Sequence, residues 1–379
     1  MSEKLTSFLD AASPVLQGTG FSHISPGMAV MWVIGLVLIY LAISKKYEPL
    51  LLLPIGFGII LANLPLAGLM IEHEGLIWRF YHYGIQWEII PPLIFLGLGA
   101  LTDFGPLLAN PKLIFLGAGA QVGVYLTFFT AHALGFSLQE SATIGIIGGA
   151  DGPTTIFLAA KLAPHLLGAC AVAAYSYMAM VPIIQPPIMR LLTTKNERLI
   201  KMKKSRKVTR LEKLLFPIVA TFLIILLIPA SAPLIAMFMM GNLFRESKVV
   251  ERLSSASKNE LMNVVTIFLG LSVGATMNAE NFLRKDVIFI FVFGLFAFMI
   301  STASGVLLAK VMNLFSKKKI NPLLGAAGVS AVPMAARVVH KVGEQADKKN
   351  YLLMYAMGPN VAGVIGTVIA AGIFLTFLK

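Results

Sequence analysis

The sequence predicts an all-α polytopic membrane protein, made of inverted repeats whose broken or re-entrant helices meet at the bilayer midplane. Three observations carry that fold class. The 379 residues are 57% hydrophobic and only 13% charged, with mean hydropathy +0.81, well outside the globular mix. Apolar runs close to the roughly 20 residues a helix needs to cross a bilayer recur along the chain. Short patterns from the first half also return, in order, in the second.

The net charge of +13 lies in connections between apolar runs. That is the distribution that keeps positive loops in the cytoplasm, not the footprint of a nucleic-acid surface. Residues 1–27 show no signal peptide with a cleavage site and read as a cap on the first span. The single cysteine, Cys170, excludes an internal disulfide and sits in an apolar run as a packing residue.

The first span, Met28–Ile43, is closed by Lys45 and Lys46, which places that end in the cytoplasm. The second, Pro49–Gly68, exits outside. An acidic and aromatic connection over residues 70–88 suits a membrane interface. Ile89–Thr102 is interrupted by Pro91, Pro92, Gly97 and Gly99 and ends at Asp103. Lys112–Phe136 is a full span, with glycines for close helix packing. After the stretch 142–162 comes His165–Leu192, expected to be broken by Pro182, Pro186 and Pro187. Residues 195–213 hold nine Lys or Arg against two Glu, a solvated cytoplasmic loop also suited to anionic lipid or an acidic partner. Within it Lys201-Met202-Lys203 has the wrong flanks for a biotin-acceptor lysine. Leu215–Ile228 and Ala232–Phe244 follow, then a second basic connection. Next are Leu261–Met277 (broken at Gly270 and Gly274), Val287–Phe315, a Lys317–Lys319 cluster, Asn321–Val339, a basic stretch to Lys349, and Tyr351–Leu378.

The chemistry centres on Gly145-Ile-Ile-Gly-Gly-Ala-Asp-Gly-Pro-Thr-Thr155. Asp151 is the only acid in its apolar stretch, and the glycines and Pro153 around it leave backbone groups unpaired. In hydrocarbon both are costly and survive only around a protein cavity, where carboxylate and carbonyl oxygens suit a hard cation such as Na⁺. Gly145, Gly148, Pro153 and Tyr175 return at a shared offset of 180 as Gly325, Gly328, Pro333 and Tyr355. Ile94-Phe95-Leu96-Gly97-Leu98 returns as Ile267-Phe268-Leu269-Gly270-Leu271. The charges place the start of the first copy outside and that of the second inside, so the copies are inverted, a transporter signature. The organisation follows: scaffold spans (1–84), a first repeat with the Asp151 motif (85–194), a basic loop with two connecting spans and a second basic loop (195–258), and a second repeat (259–379).

Lys317–Lys319 and Lys341–Lys349 both read as cytoplasmic, so 321–339 enters and leaves on one side as a hairpin. By symmetry the Asp151 segment is a hairpin from outside, and the two tips meet. A polar set then converges: Asp151, Thr154 and Tyr177 from the first copy, with Asn321, Ser330, Arg337 and Asn360 from the second. Arg337 needs an anionic partner: Asp151, an anionic substrate, or solvent at the cytoplasmic boundary. His82, His132, His165 and His340 are scattered loop or helix-end residues. Neither a Ser-His-Asp triad nor a phosphate-binding loop is present, so ATP use and acyl transfer are not indicated. From the residues alone the function is a Na⁺-coupled transporter of an organic anion.

Gly148-Gly-Ala-Asp-Gly-Pro-Thr154 resembles the signature of the β subunits of the sodium-pumping, biotin-dependent decarboxylases of oxaloacetate, methylmalonyl-CoA and glutaconyl-CoA. The resemblance runs from Met28 to Leu378. It includes Tyr175-Ser-Tyr-Met178, Pro182-Ile-Ile-Gln-Pro-Pro187, Asn321-Pro-Leu-Leu-Gly325 with Ser330, Pro333 and Arg337, and Gly358-Pro-Asn360. It implies a membrane subunit that decarboxylates carboxybiotin presented by a partner, consumes an external proton and exports Na⁺. It implies Asp151, Asn321, Ser330, Asn360 and Tyr177 in Na⁺ binding and coupling. Arg337 matches the family's functional arginine. The chemistry of carboxybiotin, an N-carboxylate, then calls for Arg337 as its cationic anchor, Tyr177 or Ser330 as proton relay, and Asp151 as the place where Na⁺ and H⁺ compete. Expected partners are an α carboxyltransferase subunit, a biotin carrier protein or domain, a small membrane γ or δ subunit, and further copies of the chain, in a bacterial or archaeal cytoplasmic membrane. The shorter N-terminal side favours the acyl-CoA members. The competing reading is a secondary Na⁺-coupled organic-anion transporter.

Overall fold

The computed structural model describes residues 18–202, 205–316 and 318–378. The expected cap over residues 1–17, Lys203 of the carrier-like tripeptide and Lys317 of the lysine cluster lie outside the described residues. The described residues are mostly helical, with no strand among them. Its main helices are α1 (Pro26–Ser44), α2 (Pro49–Ala62), α3 (Leu76–Gln86), α4 (Ile90–Leu101), α5 (Pro111–Ala133), α6 (Leu138–Gly145), α7 (Gly152–Leu162) and α8 (Leu167–Leu192). They continue as α9 (Arg210–Leu227), α10 (Ala232–Ser247), α11 (Met262–Ala275), α12 (Lys285–Phe315), α13 (Met334–Ala346) and α14 (Leu353–Leu378).

Five helical segments are long and apolar enough to cross a membrane, namely those over 26–44, 111–133, 164–192, 287–315 and 353–378. The pair α3 and α4 is bent by 64°. The burial pattern is that of a protein in lipid. Large apolar side chains such as Phe222, Leu226 and Leu227 face outward, while Asp151, Thr155, Gln185, Asn242, Asn360 and Thr367 are buried inside.

Several expected boundaries move, each for a local reason. The second span stops at Ala62, because Asn63 caps it: its amide donates to Ile59 O (2.8 Å) and Met277 O (2.9 Å) and accepts from Ala279 N (3.0 Å). α4 is uninterrupted. Pro91 and Pro92 fall in its first turn, where no backbone N–H is needed, and Gly99 serves packing rather than breaking. A Cβ on Gly99 would lie 1.9 Å from Phe238 O, and one on Gly241 1.9 Å from Leu96 O, so α4 and α10 cross with their backbones in contact. α11 is also continuous through Gly270 and Gly274. α8 runs unbroken through Pro182, Pro186 and Pro187. Packing against α12 and α13 on its inner face outweighs the local cost of the prolines.

Two segments are hairpins. In the first, α6 starts from a capping box between Ser137 and Glu140. It tightens over Ile146–Gly149, turns through the left-handed Ala150 (φ 53°) and the extended Asp151, and returns as α7. Its two ends are joined where His165 Nε2 meets Glu140 Oε1 at 3.0 Å. The second runs as a 3₁₀ helix over Pro322–Gly328, unwinds through residues 329–333 and returns as α13. Its ends are joined through the basic loop: the Asn321 amide donates to Arg198 O (3.0 Å) and Ile200 O (2.9 Å), and the Asn350 amide donates to the same two carbonyls at 3.0 and 3.3 Å. The first hairpin's ends adjoin the start of α8 and the second's adjoin the loop that follows its end; 26 residues of helix separate them by about 39 Å.

Candidate functional site

The tips of the hairpins cross. Ser330 N donates to Gly149 O at 2.8 Å, and Ser330 Oγ donates to Asp151 Oδ2, also at 2.8 Å. Asp151 is the N-cap of α7: its Oδ1 accepts from Thr154 N (3.1 Å) and its carbonyl accepts from Thr155 Oγ1 (2.8 Å). The positive end of α7 and the serine hydroxyl thus share one carboxylate, with its Oδ atoms held in fixed directions.

Behind the second tip, Asn360 on α14 holds the unwound strand open. Its amide donates to Val329 O (2.7 Å) and Ala327 O (3.1 Å), with a longer contact to Ala331 O (3.5 Å). Three carbonyls that would otherwise close a helical turn are pinned by one side chain. The opposite face of that amide is unspent: Asn360 Oδ1 is buried with no hydrogen-bond partner, and so is Thr154 Oγ1. A cavity of about 40 Å³ lies between the tips, walled by Asp151, Ser330, Thr102, Met178, Phe238 and Val364. A water needs at least about 10–15 Å³, so there is room for a dehydrated monovalent ion or one or two waters. In that wall the Asp151 carboxylate and the hydroxyls of Ser330 and Thr102 are oxygen donors of the kind a hard monovalent cation takes.

Of the residues expected to converge, the structure brings Asp151, Thr154 and Ser330 together, with Asn360 one layer behind. It does not bring Asn321 there, because both hydrogens of that amide are spent on the basic loop and its Oδ1 accepts from Leu323 N (3.1 Å). Nor does Tyr177 reach Asp151: its hydroxyl donates to Phe291 O on α12. Arg337 stands exposed in the first turn of α13, and among the described residues no carboxylate lies within ion-pair distance of it. An unpaired arginine one turn from the tip is available to an anion from outside the chain.

Two residues were missed as site members. Tyr175 packs its ring on Gly152, where a Cβ would lie 2.1 Å from Tyr175 Cε1, and its buried hydroxyl lacks a partner. Its recurrence as Tyr355 was the available signal. Gln185, fully buried between the prolines of α8, donates to Ala326 O at 2.8 Å and so steadies the second hairpin. Only its place among prolines in an apolar run pointed to it.

The profile of the family described as Na⁺-transporting oxaloacetate decarboxylase beta subunit matches residues 27–378. The chain is 57% identical over 375 residues to the methylmalonyl-CoA decarboxylase subunit beta of Veillonella parvula, covering 99% of this chain and 100% of that one. It is 56% identical over 374 residues to the glutaconyl-CoA decarboxylase subunit beta of Acidaminococcus fermentans, with 99% of each chain covered. It is 50% identical over 430 residues to the oxaloacetate decarboxylase beta chain of Klebsiella pneumoniae, covering 98% and 99%. This multi-pass membrane chain therefore belongs to the β subunits of the Na⁺-transporting carboxylic acid decarboxylases, the membrane part of a decarboxylation-driven sodium pump.

Proposed function

We propose that the chain decarboxylates N-carboxybiotin carried on a partner and uses the reaction to move Na⁺ through the crossing of the two hairpin tips. The observation that carries this reading is the contact of Ser330 Oγ with Asp151 Oδ2 beside a cavity of ionic size. Na⁺ binds there to Asp151 and Ser330, with Asn360 Oδ1 and Thr154 Oγ1 as further oxygen donors. Arg337 holds the carboxylate of carboxybiotin. The C–N bond breaks, CO₂ leaves, and the electron pair stays on the ureido nitrogen, which takes a proton. That proton comes from outside through Asp151 and Ser330. Tyr177 orients α8 against α12, and Asn321 ties the second hairpin to the basic loop.

The positions of the hairpin ends support an inverted pair of repeats, since the ends of the two hairpins adjoin opposite ends of α8. Alternating access is then a movement of both hairpins against the surrounding spans. The partners are an α carboxyltransferase subunit, a biotin carrier and a small γ or δ membrane subunit, with more than one β chain in a bacterial or archaeal cytoplasmic membrane. The alignment lengths favour a coenzyme A thioester as the upstream acid. The acyl-CoA relatives align along their whole length over 374 and 375 residues, whereas the oxaloacetate relative needs 430.

The test is decarboxylation of free carboxybiotin by the purified subunit in proteoliposomes, with ²²Na⁺ followed across the membrane. CO₂ release that requires and moves Na⁺ is the expected result. Na⁺ movement driven by an organic-anion gradient with no CO₂ released would overturn it.

A further inference from the structure

We infer that the chain carries a binding site for an anionic phospholipid in a crevice between the basic-loop ends of α5 and α12. The crevice has a volume of about 680 Å³. Lys112 stands at the start of α5, Lys318 and Lys319 follow α12, and Arg206 of the basic loop also lines it; among the described residues no carboxylate belongs to its wall. Arg206 is already shared with Glu212 at 2.8 Å. Among the described residues no carboxylate lies within ion-pair distance of Lys112, Lys318 or Lys319. Three cations are thus gathered without a counter-charge from the described residues.

The lysines are held in place rather than trailing. The Asn313 amide on α12 donates to Ile320 O at 2.7 Å and accepts from Ile320 N at 2.8 Å, tying Ile320 back to the last turns of α12. Ser316 Oγ adds a bond to Lys318 O at 2.9 Å. These bonds keep Lys318 and Lys319 at the end of α12, in the wall of the same crevice as Lys112.

The lower wall is of the opposite character. Phe115 on α5 is 60% exposed and Phe315 on α12 is 87% exposed, and both line the crevice. Each sits within a turn of the helix end, where a spanning helix passes from headgroups into hydrocarbon. Cations above bare aromatic rings match one chemistry: a phosphate headgroup with acyl chains attached. A soluble anion would use the lysines and leave the rings idle. An anionic lipid of the leaflet on that side uses both, and basic pockets between spans at this depth are the form such sites take.

The experiment is native mass spectrometry of the full chain, released from membranes into mild detergent, with phosphatidylglycerol, phosphatidylcholine of the same acyl chains, glycerophosphoglycerol, or inorganic phosphate as the probe. The expected result is retention of phosphatidylglycerol over phosphatidylcholine. Lys112→Gln, Lys318→Gln and Lys319→Gln should each reduce that retention by about fivefold, the worth of one surface cation toward an anionic lipid. Lys45→Gln and Lys248→Gln, exposed lysines outside the crevice, should leave it unchanged. Phe115→Ala should weaken the lipid and not glycerophosphoglycerol. Equal retention of the two lipids would overturn the assignment, as would displacement of phosphatidylglycerol by phosphate or glycerophosphoglycerol at matched concentration, or an equal effect of the control lysines. Because all five lysines are on the surface, an unchanged unfolding temperature identifies variants fit for comparison. Phe115→Ala with bound lipid counted at saturation supplies a measurement independent of charge.

Discussion

Asp151 does two jobs with one side chain: its Oδ1 caps α7 and its Oδ2 receives Ser330. Asp151→Asn keeps a capping oxygen but removes the charge, so Na⁺-dependent decarboxylation should vanish while carboxyl transfer by the α subunit continues. Na⁺ stimulation surviving in that variant would remove Asp151 from the ion site. Ser330→Ala deletes one hydrogen bond to a charged group, worth about 1.5–3 kcal/mol, so the Na⁺ concentration for half-maximal rate should rise by roughly 10- to 100-fold. Arg337→Lys should lower turnover, because a point charge does not replace a planar fork, and wild-type turnover there would dismiss the arginine. Asp151 was legible because a lone acid among helix breakers in an apolar run is tolerated only where it lines a cavity, and the 180-residue offset directed attention to the loop holding Ser330. Asn321 was not legible in its actual place: its partners are the carbonyls of Arg198 and Ile200, backbone groups in a loop without hydrophobic pattern.

At the scale of elements, glycine and proline were the weakest guides. Pro91 and Pro92 open α4 rather than divide it, and three prolines leave α8 whole. Breaks occur instead where side-chain amides and carboxylates receive the freed backbone, at Asp151 and along 329–331. The second hairpin's mouth is a lacing of two asparagines onto one loop. Asn321→Ala or Asn350→Ala alone should cost about 1 kcal/mol, and the pair more than their sum, since either asparagine still holds both carbonyls. Trypsin reports this directly, because the laced loop contains Lys201. Cleavage there should accelerate sharply only in the double variant, and identical cleavage rates would show that the lacing bears no strain. Single cysteines at positions 161 and 341 should be labelled from opposite faces of the membrane. Labelling from the same face would contradict two oppositely opening hairpins.

For the molecule as a whole, the apolar spans and basic loops made the class readable, whereas the tight crossings of α4 with α10 depend on shape that no periodicity encodes. One charged cluster ties these scaffold parts at the basic-loop end. Burial raises the Asp103 carboxyl, but the Gly105 N–H, Lys213 and Arg245 outweigh it and hold the group below its ordinary value of 3.8. Because the folded value is the lower one, the stability from this cluster is present above the ordinary value and is lost as pH falls through the depressed one. Thermal unfolding in detergent should show that acid loss in the wild type and a shallower one in Asp103→Asn. Superimposable pH curves would mean that the cluster does not link the folded state to protons.

The meeting of the tips also has a valence. At the offset of 180 residues, Ala150-Asp151 of the first tip answers to Ser330-Ala331 of the second. Were both tips acidic, two like charges would face each other across a few ångströms, an arrangement that takes up a proton or a divalent ion to relieve itself. Instead one tip carries an acid and the other a hydroxyl. With one acid the junction presents a single carboxylate, which suits univalent cargo, and Ala331→Asp is the change that should turn it toward calcium or magnesium.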